Sequence, residues 1–286
     1  MEGEMVDLEA LYRGLGWPSR PKDPVARERF NDILRLAETL LDKGPLAGLP
    51  EKGRIRILDI MAGSGIAGVA FAKALSLRGA SVELLVTDLR EEELGLALEW
   101  ARVAGLEEHA RVRYARADAS RLPELGEQEF DLVICWGSSM PHLDVYKAVL
   151  LLSGVREVQA ADGALIIQQK DLLPWILVNN SFRHIMVEGG LLTIYREYDA
   201  RRGVQKRLVY KLPGLEYLGV AESRLWELSQ IVSLSWIFYE NVEVLDYIER
   251  GYPSKVIVAQ KPRRIATPWK DLLRGIPLET WLVSRN

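Results

Sequence analysis

Residues 55–68 read IRILDIMAGSGIAG, and this stretch decides the fold of the chain. Its first half is mostly apolar and carries one carboxylate, Asp59, while its second half is rich in glycine. This order predicts a buried strand that leads directly into a glycine-rich turn and then a helix. Glycine allows backbone N–H groups to approach a ligand closely, and the helix N-terminus adds a partial positive charge. Alone, such a turn is a weak indication of function, because several nucleotide-binding families share it.

Further strand-like runs follow, and each ends in a polar or small residue. They are residues 82–88 with Asp88 at the end, residues 112–119 with Asp118 near the exit, and residues 130–137, which end in Trp136 and Gly137. Asp88 follows Gly68 by about 20 residues, the spacing at which an acidic side chain meets the ribose hydroxyls of an adenosine. Because the carboxyl ends of parallel strands meet along one edge of a sheet, this pattern predicts a ligand crevice at that edge.

Length, composition and charge limit the classes of protein that fit. With 286 residues, 48% of them hydrophobic, the chain can bury a large core as one domain or as one domain with an insertion. Its formal net charge of −3 gives no general attraction to nucleic acid or to an anionic membrane. No apolar run is long enough to span a bilayer, and the acidic residues 1–5 lack the pattern of a signal peptide. One cysteine excludes an intrachain disulfide, so we expect a cytoplasmic enzyme.

Strands and helices alternate from residue 54 to residue 169. This alternation predicts right-handed crossovers and a parallel sheet with helices on both faces. The final two strands, over 242–247 and 255–260, lie too close in sequence for a crossover helix and must pair antiparallel. We therefore predict an α/β fold, a Rossmann-like, doubly wound, seven-stranded sheet with an antiparallel last strand.

The pattern predicts several parts along the chain. They are a helical extension over 1–53, a cofactor-binding core over 54–189 whose end (172–187) is helical, a three-stranded antiparallel β insertion over 190–225, the end of the sheet over 226–262 and a tail over 263–286. The insertion is expected to cap the substrate. The tail contains Trp269 and Trp281 and is expected to pack on the domain or on a second subunit, which leaves a homo-oligomer open.

The ordered set of strands, glycines and acids resembles the class I S-adenosylmethionine-dependent methyltransferases over roughly residues 54–262. The resemblance implies that Asp59 organises the methionine end of the cofactor, Asp88 binds its ribose and Asp118 reaches its adenine amine. It also implies that the glycine loop passes beneath the cofactor and that neighbouring residues line its site. The loop residues are Ala62, Gly63, Ser64 and Gly65, and the neighbours are Leu89, Ala119 and Trp136.

Each of these acids also has a purely structural interpretation. Asp59 could cap the turn, Asp88 could be the N-cap of the following helix, and Asp118 fits ordinary turn chemistry. The distance of Asp88 from the glycines favours the ribose role for that residue. Cys135, the one cysteine, lies in an apolar run and is expected to be a small core residue.

Residues 135–143, CWGSSMPHL, resemble the G-N-S-x-x-H-L segment of small-molecule N-methyltransferases that act on glycine and sarcosine. Ser138 stands where that group has asparagine, so the amino-acid substrate does not carry over. Lys170 takes the place of that group's carboxylate-binding arginine, and it either pairs with an anion or is a solvated lysine at a strand end. His142 is the nearby residue that titrates near neutral pH, and it is either a general base or a packed loop residue.

The residues before the first strand have two interpretations as well. In the resembling family, N-terminal helices often cover the mouth of the active site. Tyr12 and Trp17 therefore either line a substrate pocket or pack the first helix on the domain. The three histidines are scattered without metal-ligand spacing, so no metal is predicted.

The sequence as a whole predicts in-line transfer of a methyl group from S-adenosylmethionine to a small-molecule acceptor, for which an amine is one candidate. An NAD(P)-dependent oxidoreductase shares the glycine loop and the ribose acid, but Asp59, Asp118 and the antiparallel last strands argue against it. A methyltransferase that acts on RNA is disfavoured by the net acidity. A non-catalytic subunit that only binds the cofactor is disfavoured by the intact set of cofactor residues.

Overall fold

The structure is a computed structural model that describes residues 4–172, 176–177, 182–249, 252–264 and 267–274. Trp281 lies outside these residues, as do parts of the predicted helix over 172–187.

The strands of the described residues form two separate sheets. In chain order they are β1 Arg54–Ile60, β2 Ser81–Asp88, β3 Ala110–Arg116, β4 Phe130–Cys135, β5 Gln159–Gln169, β6 Ile185–Glu188, β7 Leu191–Asp199, β8 Val204–Lys211, β9 Glu216–Ser223, β10 Tyr239–Glu249 and β11 Tyr252–Pro262. The large sheet has the order β10-β11-β5-β4-β1-β2-β3, and the small sheet has the order β6-β7-β8-β9. In the large sheet, β11 runs antiparallel to both of its neighbours, while β1 to β5 pair in parallel. The predicted seven-stranded sheet with an antiparallel end is therefore confirmed.

Helices cover both faces of the large sheet and form the N-terminal extension. They are α1 Leu8–Leu15, α2 Pro24–Asp42, α3 Ile66–Ser76, α4 Glu91–Leu94, α5 Leu96–Val103, α6 Val145–Val158, α7 Leu228–Phe238 and α8 Trp269–Arg274. Local sequence explains three boundaries of the first two helices. Asp7 and Asp23 accept backbone N–H groups as N-caps, and Gly16 ends α1 in the left-handed conformation.

Side chains along β1 alternate between the two faces of the large sheet, and this alternation decides which face its apolar residues and Asp59 occupy. Ile55 and Ile57 join the apolar cluster under α2 and α3, whereas Leu58 and Ile60 join the cluster under α6 and α7. Successive side chains of a strand point to opposite faces, so Asp59 shares the α3 face with Ile57. The sheet is apolar on both faces because helices cover both, as a parallel sheet requires.

The small sheet has one strand more than the sequence predicts. Residues 185–188 form β6, which pairs antiparallel with β7, so the predicted helix is wrong at its end. The physical reason lies in Gly189 and Gly190, which form a tight hairpin turn with a φ of 56° at Gly189 instead of ending a helix. The small sheet therefore begins at Ile185, before residue 190.

Specific hydrogen bonds tie the small sheet to the large one. Trp226, just after β9, donates its indole N–H to the carbonyl oxygens of Met140 and Leu143 at 2.9 and 3.1 Å. Arg202, in the β7–β8 turn, donates to Asp144, the N-cap of α6, at 2.8 Å. The small sheet is thus fixed against the segment that follows β4, where the sequence predicts a substrate site.

Trp269 shows where the described part of the tail packs. Its side chain is buried, and its indole N–H donates to the carbonyl oxygen of Ser120 at 2.8 Å. The tail therefore returns to the domain at α8.

Candidate active site

Asp59 lies at the carboxyl end of β1 and is fully buried. Its Oδ2 accepts the backbone N–H of Gly68 at 2.8 Å, while its Oδ1 is buried without a hydrogen-bond partner. A Cβ at Gly68 would lie 2.7 Å from Oδ2, so only glycine allows α3 to come this close. Burial raises the pKa of Asp59 from 3.8 to about 7.

The glycine loop after β1 bends through several left-handed residues. Met61, Gly63 and Gly65 have φ values of 52°, 57° and 73°. Its backbone is anchored to β2, because the N–H of Ala62 donates to the carbonyl oxygen of Thr87 at 3.0 Å. The loop is therefore a fixed turn at the N-terminus of α3, shaped for close approach of a ligand to its backbone.

Asp88 ends β2 and holds the same loop through its side chain. Its Oδ2 accepts the N–H of Gly63 at 2.7 Å, and its Oδ1 accepts the backbone N–H of Arg90 at 2.9 Å. The Arg90 guanidinium lies beside the carboxylate, with Nε 3.2 Å from Oδ1. Asp88 is not the N-cap of α4, because Arg90 occupies that position.

Asp118 follows β3 and caps a turn, which is the structural role that the sequence left open for it. It is the N-cap of a 3₁₀ helix over Ala119–Leu125, and its Oδ1 accepts the N–H and the hydroxyl of Ser120 at 2.8 and 2.7 Å. Asp118 and Ala119 also line a cavity with Asp88 and Leu89. A capping role and a place in the wall of the cavity thus coexist in this residue.

Tyr12 and His142 meet in this cavity. The phenolic oxygen of Tyr12 lies 2.7 Å from Nε2 of His142, and the Tyr12 ring lies 3.9 Å from the Cζ atom of Arg90. Burial, with a contribution from the Arg90 charge, lowers the pKa of His142. Burial likewise raises the pKa of Tyr12. At neutral pH the pair is therefore a neutral imidazole beside a neutral phenol.

The cavity has a volume of about 380 Å³ and lies between the large sheet, α1 and the small sheet. The strand ends contribute Asp88 and Asp118, and α1 contributes Tyr12. The small sheet contributes Glu222 and Ser223. A ligand in the cavity would contact the strand-end acids on one side and the small sheet on the other.

Ser138 shapes the loop after β4. It has a φ of 54°, a conformation that asparagine adopts more readily than serine. Its hydroxyl accepts the backbone N–H of Lys170 at 2.9 Å, and its own N–H and that of Gly137 donate to Oε1 of Gln168 at 2.8 and 2.9 Å. Ser138 therefore links the ends of β4 and β5.

Other predicted site residues lie outside this cavity. Trp136 is buried in the core against Phe71 and Tyr247, and Trp17 is 43% exposed with Arg29 stacked over its ring. Lys170 lines a different cavity, beyond Pro141. The structure thus brings Tyr12 and His142 together with Asp88 and Asp118, whereas Asp59 does not line this cavity. Trp17 packs edge-on against Tyr12, with ring centres 6.5 Å apart, but does not line the cavity either.

No sequence motif identifies some of the residues that the structure places at the site. A Cβ at Gly63 would lie 2.5 Å from Nη2 of Arg90, and one at Gly137 would lie 2.9 Å from Nη2 of Arg29. Two guanidinium groups therefore cover the turns after β1 and β4. Gln168 is a third such residue, and its one sign in the sequence is a glutamine pair that interrupts the apolar run of β5.

Two negative findings apply to the described residues. They contain no group of three or more histidine, cysteine or acidic side chains placed to hold a metal ion. Within the same part of the chain, every helix is too short or too polar to cross a lipid bilayer.

Comparisons with known proteins agree with this fold. The family model described as a methyltransferase domain matches residues 57–163. The structure is similar to the PH0226 protein of Pyrococcus horikoshii OT3, with a TM-score of 0.58 and 19% identity over 90% of this chain and 100% of that one. An S-adenosylmethionine-dependent methyltransferase from Clostridium acetobutylicum gives a TM-score of 0.53 at 14% identity, over 88% and 96% of the two chains. No curated protein sequence is significantly similar to this chain.

Proposed function

We propose that this chain is a class I methyltransferase that transfers a methyl group from S-adenosylmethionine to a small-molecule acceptor, in line with the methyltransferase-domain model that matches residues 57–163. The observation that carries the proposal is the meeting of Asp88 and Asp118 with Tyr12 and His142 in one cavity. Two acids at adjacent strand ends suit the ribose and adenine of the cofactor. The small sheet on the opposite wall suits a cap over the acceptor.

The residues at the glycine loop fit this cofactor. Asp59 has a buried oxygen without a hydrogen-bond partner, which suits the positively charged methionine end. The left-handed residues Gly63 and Gly65 let the loop turn tightly at the N-terminus of α3, where the methionine end of the cofactor would lie. Arg29, at the turn after β4, would supply a positive charge for the cofactor carboxylate.

The cofactor supplies a methyl group on a positively charged sulfur, which is already a strong electrophile. The chain therefore needs to orient the acceptor in line with that methyl group and to exclude water. Leu8 and Leu11 of α1 form an apolar part of the cavity wall together with Leu143, which lies between β4 and α6. An apolar wall excludes water from the reacting groups.

For an amine acceptor, His142 is the proposed general base. A neutral imidazole can accept a proton, and burial favours the neutral form of this side chain. Tyr12 would hold the ring in position by accepting the Nε2–H of His142, which leaves Nδ1 to accept the proton. Ser138 and Lys170 are proposed to shape the acceptor side of the site, because one hydrogen bond connects them.

Calorimetric titration of the purified protein with S-adenosylmethionine, S-adenosylhomocysteine and NAD tests this proposal. We expect both sulfur compounds to bind with micromolar affinity and NAD not to bind. Binding of NAD alone would replace the proposal with an oxidoreductase. A screen of small amines and acids with methyl-labelled S-adenosylmethionine then identifies the acceptor.

A further inference from the structure

A second cavity, of about 310 Å³, lies between the small sheet and the ends of β4 and β5. Four cationic residues contribute to its wall, and no acidic residue does so among the described residues. The cationic residues are Lys170, Arg183, Arg207 and Arg224. Apolar side chains such as Met186 and Trp226 complete the wall. The cavity is therefore positively charged and partly apolar.

Arg207 is a buried cation in this wall, with 7% of its surface exposed. Its guanidinium donates to Oγ1 of Thr193 at 3.0 Å and to the carbonyl oxygens of Arg183 and His184 at 3.1 Å each. All of its acceptors in the described part of the chain are neutral oxygens. A buried charge without a counter-ion is costly, and an anion in the cavity would offset that cost.

Arg224 has a donor that the protein leaves unused. Its Nε atom is buried without a hydrogen-bond partner, while Nη1 donates to the carbonyl oxygen of Gly203 at 3.0 Å. The guanidinium also stacks over the Trp226 ring, with Cζ 4.4 Å from the ring centre. These contacts hold the group in place. Buried donors are nearly always paired, so the unused one indicates a polar ligand that the protein itself does not supply.

The two cavities adjoin each other. Ser223 lines both, and Pro141 of the second cavity precedes His142 of the first. A small molecule held by the cations could therefore extend toward His142. This continuity connects the second cavity with the acceptor side of the proposed reaction.

We propose that the second cavity binds an oxyanion, a carboxylate or a phosphate, at the end of the acceptor away from the reacting atom. Arg224 and Arg207 would recognise it through charge-assisted hydrogen bonds. As a statement about the acceptor, this inference rests on the proposed methyl transfer. Anion binding itself can be measured without turnover.

The test is calorimetric titration of the full-length protein, with S-adenosylhomocysteine present, by sodium acetate and by inorganic phosphate at constant ionic strength. We expect saturable one-site binding of at least one probe, weaker by about tenfold or more in Arg207→Gln and Arg224→Gln. Arg224→Lys should retain part of the affinity because it keeps the charge. Arg196→Gln is the matched control, since Arg196 is exposed on β7 and lines neither cavity. The probe that binds more tightly distinguishes a carboxylate from a phosphate ligand.

The outcomes separate this inference from the proposed function. Absence of saturable binding, or equal weakening in Arg196→Gln, overturns the anion site. A protein that binds S-adenosylmethionine but neither anion keeps the methyl transfer and loses the anion site. A protein that binds an anion but no sulfur compound keeps the anion site and loses the proposed methyl transfer. Because Arg207 also holds backbone carbonyls, Arg224→Gln decides the result if Arg207→Gln does not fold.

Discussion

The phenolic oxygen of Tyr12 lies 2.7 Å from Nε2 of His142, although 130 positions separate the two residues in the chain. The same ring stacks on Arg90, which contacts Asp88 at the end of β2. One tyrosine of α1 thus joins the turn after β4 to the acid proposed to bind the cofactor ribose. The N-terminal extension therefore forms part of the wall of the candidate site.

The first prediction concerns the pH dependence of methyl transfer. Burial and the Arg90 charge lower the pKa of His142, and only the neutral imidazole can accept a proton. At saturating S-adenosylmethionine, we expect kcat/KM for the acceptor to rise with pH through an apparent pKa below 6.5, the ordinary value for histidine. A pH–rate profile measures this, and His142→Gln should lack the acidic limb. An unchanged acidic limb in that variant would show that another group is responsible.

The second prediction isolates the Tyr12 hydroxyl. Tyr12→Phe keeps the ring over Arg90 but removes the oxygen that accepts the Nε2–H of His142 in the tautomer that leaves Nδ1 free to act as base. Because that hydrogen bond is stronger to the protonated imidazole, we expect the acidic limb to move to lower pH. We also expect kcat/KM at neutral pH to fall by about 2- to 10-fold, the value of one hydrogen bond that orients the ring. Tyr114→Phe, at an exposed position on β3, is the control. Identical profiles for the two variants would contradict a role for the hydroxyl.

Asp59 gives the third prediction, on stability. Burial raises its pKa from 3.8 to about 7, so between these values the folded protein keeps a proton that the unfolded chain has lost. The contribution of Asp59 to the free energy of unfolding therefore falls as pH rises through this window. Asp59→Asn lacks this dependence. Relative to wild type, the variant should gain stability from about pH 4 to about pH 8, by on the order of a few kcal/mol.

Urea unfolding of both proteins at the two pH values measures that difference. In the same samples, wild-type affinity for S-adenosylmethionine should increase as pH rises through 7, because the ionised carboxylate then pairs with the positive methionine end. Asp59→Asn should bind S-adenosylmethionine more weakly, and its affinity should lack this rise with pH. Parallel stability curves for the two proteins would show that Asp59 titrates far from neutrality.

The large sheet could be predicted because its determinants are local in the sequence. Apolar runs such as residues 55–60 and 82–86 define buried strands, and the short connection between 242–247 and 255–260 requires antiparallel pairing. The prediction of a helix over 172–187 was wrong at its end, where β6 is only four residues long. Ile185 and Val187 suit a strand, but so short a run carries little periodicity.

The contacts of the site were less predictable, because they join distant parts of the chain. The sequence pointed to Tyr12 and His142 separately but not to their hydrogen bond. Arg90 gave no sign beyond its place after Asp88, and its cover over Gly63 depends on how α4 leaves β2. Trp136 follows β4 as expected, yet packing against Phe71 and Tyr247 draws it into the core.

The fourth prediction concerns Asp88. Asp88→Ala removes the carboxylate proposed to accept the ribose hydroxyls, and it also frees the N–H of Gly63. We expect the affinity for S-adenosylmethionine to fall by about 1–3 kcal/mol, the value of charge-assisted hydrogen bonds. Calorimetry measures the loss, and Asp246→Ala, at a side chain that is 90% exposed on β10, is the control. Unchanged affinity in a folded Asp88→Ala protein would exclude the ribose role.

The last prediction compares two glycines with similar backbones. Gly65 and Gly79 have φ values of 73° and 83°, so alanine costs about 1–2 kcal/mol at either position through the left-handed conformation alone. Their surroundings differ. A Cβ at Gly65 would lie 3.0 Å from Cγ1 of Val86 and 3.1 Å from Cβ of Ala97, whereas a Cβ at Gly79 would have no atom within 4 Å.

Because the neighbours of Gly65 are buried, the added methyl group must displace the glycine loop rather than its surroundings. We expect Gly65→Ala to weaken the binding of S-adenosylmethionine by about tenfold or more, and Gly65→Val to abolish it. Gly79→Ala should lose similar backbone stability but bind the cofactor as wild type does. Calorimetry and urea unfolding of the three variants separate the two effects. If Gly65→Ala binds as tightly as Gly79→Ala, the cofactor does not depend on the position of this loop.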